Sequence, residues 1–248
     1  MPEGGEVMLG LLLIVIWLFF VLFLGGILYL PILGLIGLFN RELEHRLGQR
    51  YCVFIANGIT FCAGEKIIPL GVENIPKDEA VLFISNHRSM FDILTAYRYF
   101  PGLTACISKV EWKRVPFLRQ LMDTIRCIYL DRRNVRAGLK TTAEAEKLLE
   151  QGVSVWVCPE GTRNQKEELL PFHEGSFRSA FKTGARILPF TLVHTDHIFE
   201  RHKPWVRRAT VTISFGKPIE TKGLSKDEQK ALIARIAHDI QCEYNELQ

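Results

Sequence analysis

The sequence reads as an α/β domain with a mostly parallel central sheet flanked by helices, preceded by a hydrophobic and then an amphipathic helix that together form a membrane anchor. Three observations lead there. Residues 7–39 carry no charged side chain. Beyond residue 66, short apolar runs rich in β-branched residues alternate with helical stretches, the pattern of parallel strands joined by crossover helices. Four of those runs end in His, Asp, Lys, Arg or Glu, and ligands of open α/β sheets bind outside the carboxyl ends of the strands.

The apolar run is longer than the roughly 20 residues a spanning helix needs. Gly25, Gly26 and Pro31 are expected to break it past its middle. A cleavable signal peptide fits poorly, because Glu3 and Glu6 rather than lysines precede the run and no small-residue cleavage site closes it. Arg41, Arg46 and Arg50 follow it, and the positive-inside tendency assigns the rest of the chain to the cytoplasmic side of the cytoplasmic membrane. Next, Leu43, Leu47, Tyr51, Phe54, Ile55, Ile59 and Cys62 recur near helical period, with Glu42 and Arg46 opposite and Glu44 out of pattern. That spacing predicts an interfacial helix. Residues 1–63 therefore read as the anchor, by a full span or by insertion into one leaflet, and residues 64–248 as the α/β domain.

Within that domain the predicted strands are 81–85, 104–108, 127–130, 154–157, 187–193 and 210–215, and the predicted helices 90–99, 115–122, 135–151, 176–183 and 226–246. Asn134 and Gly152 bracket the third helix as cap and terminator. The six cysteines form no CxxC pair and no Cys/His cluster of zinc spacing. They read as reduced thiols, and no metal site is expected. The formal net charge of +4 gives no reason to expect nucleic acid, and it suits an anionic membrane surface.

The chemistry gathers at the strand ends. Asn86-His87-Arg88-Ser89-Met90-Phe91-Asp92 holds an H-x4-D spacing. On a continuous helix these two residues would lie about 140° apart. They meet only if His87 sits in the strand-to-helix turn, Ser89 caps the helix and Asp92 reaches back from the first turn. A carboxylate on Nδ1 would fix the imidazole tautomer and leave Nε2 to take a proton from an alcohol. The plainer reading is a Ser-x-x-Asp capping box beside a passive histidine, and the two readings are compatible. Lys109 follows the next strand, Asp131 and Arg132 the one after, and Pro159-Glu160-Gly161-Thr162-Arg163 the fourth. In that last turn Gly161 permits close backbone approach and Arg163 offers a planar fork for phosphate. Cys158 continues an apolar strand and reads as core rather than nucleophile.

Taken in order, NHRSMFD, IYLDRR, VCPEGTR and ILPFTL resemble the four motifs of the glycerolipid acyltransferase superfamily, and within it most the bacterial 1-acylglycerol-3-phosphate O-acyltransferases. The resemblance implies that His87 and Asp92 form a catalytic dyad. It further implies that Arg132 binds the acceptor phosphate, that Glu160, Gly161, Thr162 and Arg163 form an acceptor-binding turn, and that Lys109 also faces phosphate. Pro189 lies in the motif tied to the acyl donor. Expected partners are membrane lipids, lysophosphatidic acid as acceptor, and acyl-CoA or acyl carrier protein as donor, with no further cofactor. Two positions depart from the family pattern. His173 stands where lysine is usual, and Arg88 fills a place often held by another polar residue. Open alternatives are other acceptors (glycerol 3-phosphate, another lysophospholipid, a lyso-amino-acid lipid) and a non-catalytic lipid-binding protein. A hydrolase is disfavoured by the lack of a Gly-x-Ser-x-Gly elbow.

Overall fold

A computed structural model describes residues 3–131 and 135–248. The apolar run forms α1 (Glu3–Leu24), a π-helical turn (Gly25–Tyr29) and α2 (Leu30–Phe39). The expected break at Gly25, Gly26 and Pro31 is therefore a local widening of one helix. The Leu30 N–H reaches back to the Gly25 carbonyl, and loosening the turn ahead of Pro31 relieves the clash its ring would make with a tight preceding turn. Gly10–Phe39, with a mean hydropathy of 3.1, is the one helix among the described residues long and apolar enough to cross a membrane.

Asn40 ends that helix with extended backbone, and its side chain accepts from the Leu43 N–H at 2.9 Å. The cap starts α3 (Arg41–Cys62), which runs back along the apolar helix. Tyr29 and Tyr51 bridge the pair through hydroxyl bonds to the Leu47 and Val21 carbonyls, at 3.2 and 3.0 Å. Gly58 lets Trp17 lie directly on α3, since a Cβ there would come within 2.0 Å of the indole. Glu44, the residue out of pattern, is buried beside Gly37 and paired with Arg41 at 2.8 Å. The opposite face of α3 belongs to the α/β domain: Gln49 accepts from the Thr104 N–H at 3.1 Å, His45 Nδ1 lies 2.7 Å from the Thr124 carbonyl, and Cys52 and Val53 pack on the core.

Seven strands among the described residues form one sheet: β1 (Lys66–Leu70), β2 (Leu82–Ser85), β3 (Thr104–Lys109), β4 (Ile128–Leu130), β5 (Ser154–Val157), β6 (Ile187–Val193) and β7 (Thr210–Phe215), in the order β1-β7-β6-β2-β5-β3-β4. The strands from β6 to β4 are mutually parallel. β7 runs antiparallel to β6, and β1 is parallel to β7. The connecting helices are α4 (Phe91–Ala96), α5 (Leu118–Thr124), α6 (Val135–Glu150) and α7 (Arg178–Thr183), and α8 (Lys226–Glu246) closes the chain behind a Ser225–Glu228 capping box. Gly152 ends α6 in left-handed backbone as expected, whereas the proposed cap Asn134 lies outside the described residues. The first strand was not expected from sequence. Its KIIPL run does not alternate and holds Pro69, whose missing N–H is readily accommodated in an edge strand such as β1.

Both faces of the sheet are covered, so β2 and β5 are buried at every position. Leu82, Ile84, Val155 and Val157 face α6, α7 and α8, while Phe83, Trp156, Leu188 and Phe190 pack on the other side with Tyr97 and Phe100. Truncating the fully buried Phe83 to Ala would cost about 3 to 5 kcal/mol. This rigid centre carries the turn after β2.

Candidate active site

Because β6, β2, β5, β3 and β4 are parallel, their carboxyl ends share one edge of the sheet. The sequence-expected residues after β2, β3 and β5 emerge there. Asn86 fixes the start of the first turn: its buried amide accepts from the Leu192 N–H and donates to the Leu192 carbonyl, both at 2.8 Å. The side chain thus imitates a strand neighbour and ties the turn to β6.

His87 and Asp92 meet, with Nδ1 and Oδ2 2.8 Å apart. The geometry differs from a simple capping box. The helix begins later, at Phe91, and Ser89 Oγ accepts from the Phe91 N–H at 2.9 Å. Asp92 supplies the other half of the box, since its Oδ2 accepts from the N–H groups of Ser89 at 2.9 Å and Arg88 at 2.7 Å. Its Oδ1 accepts from Thr195 Oγ1 at 2.6 Å. The carboxylate is 1% exposed and the imidazole 24%. Buried charge is tolerable only when its lone pairs are satisfied, as here. With Nδ1 engaged, Nε2 is the ring nitrogen that could exchange a proton. An imidazole so held, at a partly open edge, can act as a general base toward a hydroxyl.

The turn after β5 is bound to this one. Glu160 is buried, and its Oε1 accepts from the His87 N–H at 2.8 Å. Its Oε2 accepts from Asn164 Nδ2 at 3.0 Å and from the Leu170 N–H at 2.9 Å. The Asn164 N–H in turn donates to the His87 carbonyl at 2.8 Å. In this arrangement the Glu160 carboxylate joins the two loops. Gly161 takes left-handed backbone (φ +68°), and a Cβ there would come 3.2 Å from the His173 ring. His173, the departure from lysine, is therefore the side chain beside that turn. Thr162 and Arg163 are exposed, and Arg163 Nη1 donates to Glu200 at 3.1 Å.

Lys109 ends β3, half exposed and paired with Glu111 at 3.3 Å. Beyond the ends of β3 and β4 a cleft of about 200 Å³ is lined by Val110, Glu111, Arg114 and Asp131. Arg132 lies outside the described residues. Among the described residues no group of three His, Cys, Asp or Glu side chains is arranged to hold a metal ion, and no cysteine is in a disulfide. Burial pushes the Cys127 thiol up to about 12, far from a nucleophile's range. Cys158 packs against the core with its Sγ 3.6 Å from Ser85 Oγ.

Three contributors had no role legible in the sequence. Thr195 and Glu200 follow β6 with no motif around them. Arg88 is fully buried, donates through Nη1 to the Lys166 carbonyl and stacks 4.8 Å over the Tyr244 ring. It braces the turn after β5 and α8 against the His87 turn, a role that gives its departure from the usual residue a physical content.

Residues 67–193 match the family model described as Acyltransferase. A 1-acyl-sn-glycerol-3-phosphate acyltransferase of Borreliella burgdorferi is 32% identical over 192 residues, covering 77% of this chain and 76% of that protein. The Homo sapiens 1-acyl-sn-glycerol-3-phosphate acyltransferase alpha is 27% identical over 228 residues, covering 90% and 79%. Among solved structures, the 1-acyl-sn-glycerophosphate (LPA) acyltransferase PlsC from Thermotoga maritima superposes with a TM-score of 0.78 at 25% identity, covering 95% of both chains. By the extent of the family match and the identity to the Borreliella burgdorferi protein, the chain belongs to the acyltransferase family.

Proposed function

We propose that the protein is a 1-acylglycerol-3-phosphate O-acyltransferase, moving a fatty acyl group from acyl-CoA or acyl carrier protein to the sn-2 hydroxyl of lysophosphatidic acid. The observation that carries this reading is the 2.8 Å contact between His87 Nδ1 and the buried Asp92 carboxylate. His87 Nε2 removes the acceptor's hydroxyl proton as the oxygen attacks the thioester carbonyl. Collapse of the tetrahedral intermediate breaks the C–S bond, the proton held by His87 passes to the sulfur, and the thiol leaves. Asp92 stabilises the imidazolium without itself taking the proton.

Recognition of the acceptor phosphate falls to Arg163 after β5 and Lys109 at the end of β3, with Arg132 a third candidate by its place in the sequence motif. The relatives' names specify an acceptor and no thioester donor, so acyl-CoA and acyl carrier protein are both tested as donors. Glu160, Gly161 and Thr162 contribute chiefly by shape: the first holds the His87 backbone, and the others form the turn that presents Arg163.

Both substrates carry long acyl chains, which gives the anchor a part in the reaction. α3 packs on the apolar helix along one face and on the α/β domain along the other. Polar residues at the start of α3, among them Arg41, Glu42 and Arg46, lie alongside α2. Such an assembly favours insertion by the outward face of the apolar helix, where Phe19, Phe23, Leu35 and Phe39 are exposed, over a perpendicular span that would drag α3 into hydrocarbon. The catalytic edge then works at headgroup depth on the cytoplasmic side of the membrane.

The test uses full-length protein in detergent, acyl-CoA and acyl carrier protein thioesters, and a panel of acceptors, with thiol release and lipid product measured together. The expected outcome is fastest turnover on lysophosphatidic acid, with phosphatidic acid as product. Faster turnover on glycerol 3-phosphate or on a lysolipid without a terminal phosphate would overturn the acceptor, and no thiol release with any acceptor would overturn the activity.

A further inference from the structure

The segment after β6 returns to the site with a carboxylate that no motif announces. The Glu200 side chain is 2% exposed, yet the residue belongs to a short surface turn. Its Oε2 accepts from Ser89 Oγ, and its Oε1 accepts both from the Met90 N–H at 3.0 Å and from Arg163 Nη1 at 3.1 Å. Ser89 and Met90 lie between His87 and Asp92 in the chain. One buried carboxylate therefore holds the backbone of the His87 turn and the guanidinium of the neighbouring turn at the same time. Residue 200 also lies beyond the stretch that the family model matches, which ends at residue 193.

Burying a carboxylate is costly unless charged or strongly polar donors compensate it. Here the donors are two groups of the His87 turn and one cation, and the Glu200 carboxylate draws all three to one point. An arginine side chain on a surface turn otherwise loses considerable rotamer entropy on binding a ligand. Arg163 is 41% exposed. A guanidinium has five N–H donors, and tethering one nitrogen to Glu200 fixes the plane of the others while leaving donors for a phosphate oxygen.

We infer that Glu200 is a positioning residue for the acceptor. It sets the distance between the His87 imidazole and the Arg163 guanidinium, so that a lysolipid held by its phosphate presents its hydroxyl to His87. The inference rests on the reading of Arg163 as a phosphate ligand and deepens it. Glu200 touches no substrate. It acts through Arg163, and its removal acts on acceptor binding rather than on donor binding.

The experiment is a double-mutant cycle on the full-length protein in detergent, with KM measured separately for lysophosphatidic acid and acyl-CoA in wild type, Arg163→Ala, Glu200→Ala, Glu200→Gln and the Arg163→Ala/Glu200→Ala double variant. Arg163→Ala and Glu200→Ala are each expected to raise the acceptor KM about tenfold, the low end for a lost charge-assisted hydrogen bond. The acyl-CoA KM should change less than about twofold, and adding Glu200→Ala to Arg163→Ala should change the acceptor KM by less than about twofold, because the effect passes through Arg163. Glu200→Gln keeps an oxygen for Arg163 and should retain most of the affinity. Should Glu200→Ala fail to fold, Glu200→Asp serves in its place, since the shorter side chain withdraws from Arg163 and is expected to raise the acceptor KM in the same way. Additive effects in the double variant would overturn the inference, as would an acceptor KM that rises in Arg163→Ala but not in Glu200→Ala or Glu200→Asp. An acceptor KM unchanged in Arg163→Ala itself removes the phosphate assignment and the inference with it, a pattern distinct from failure of Glu200 alone.

Discussion

Asp92 and Arg163 are both charged groups at one edge of the sheet, and the protein treats them in opposite ways. The carboxylate is buried and accepts from His87, Arg88, Ser89 and Thr195. The guanidinium is 41% exposed, and its described hydrogen bond runs to Glu200 alone. A group that must orient a base has to be in place before substrate arrives, so its surroundings are complete without substrate. A group that must capture a phosphate needs unspent donors, so its surroundings are left incomplete. On the proposed function, the turn after β2 is built for geometry and the rim for capture.

That contrast can be broken by experiment, and the largest effect is expected at the turn. Asp92→Ala leaves the imidazole unoriented and two buried N–H groups without an acceptor. Turnover should fall at least about 10²-fold, and stability by about 2 to 3 kcal/mol, or roughly 5 to 10 °C in Tm, read by thiol release and thermal melting. A rim residue should behave differently. Arg163→Ala should leave Tm unchanged and kcat within about threefold, while acceptor KM rises about tenfold or more. If instead Arg163→Ala lowered kcat and left KM unchanged, the division between orienting and capturing groups would fail.

Smaller effects sharpen the same comparison. Thr195→Val removes one of the bonds to Asp92 while keeping the shape, and should reduce kcat about fivefold, the worth of roughly one ordinary hydrogen bond. Lys109 is half exposed and partly neutralised by Glu111, so Lys109→Ala should raise acceptor KM by no more than about threefold, with the difference shrinking as salt is added. A salt-independent loss of tenfold or more at Lys109 would mean that it is desolvated by the substrate and belongs with the capturing groups.

Local signals made most of the sheet and half of the site legible. The strands β5, β6 and β7 coincide with their expected bounds, the first two because buried parallel strands are near-continuous apolar runs and β7 because Thr210, Thr212 and Ser214 alternate with Val211, Ile213 and Phe215. β1 escaped because an edge strand is free of that constraint and admits Pro69. His87, Asp92, Glu160 and Arg163 were visible because each follows a strand and falls in a motif. Thr195 and Glu200 were not, since a lone threonine or glutamate gives no local signal, and Arg88 showed only as a departure with no readable role; each acquires its role only when β6 and α8 pack beside β2. The expected kink at Gly25, Gly26 and Pro31 became a π-helical turn for a similar reason. The sequence marks the strain, and the chain absorbs it within one continuous helix alongside which α3 packs.

Everything in the mechanism passes through one imidazole, so the most direct test is thiol release from acyl-CoA with saturating lysophosphatidic acid, comparing wild type with His87→Ala at matched Tm. The expected result is a fall of at least about 10²-fold in kcat, with the His87→Ala/Asp92→Ala double variant no slower than the single ones because the two residues act as a unit. Undiminished turnover in folded His87→Ala would contradict the account.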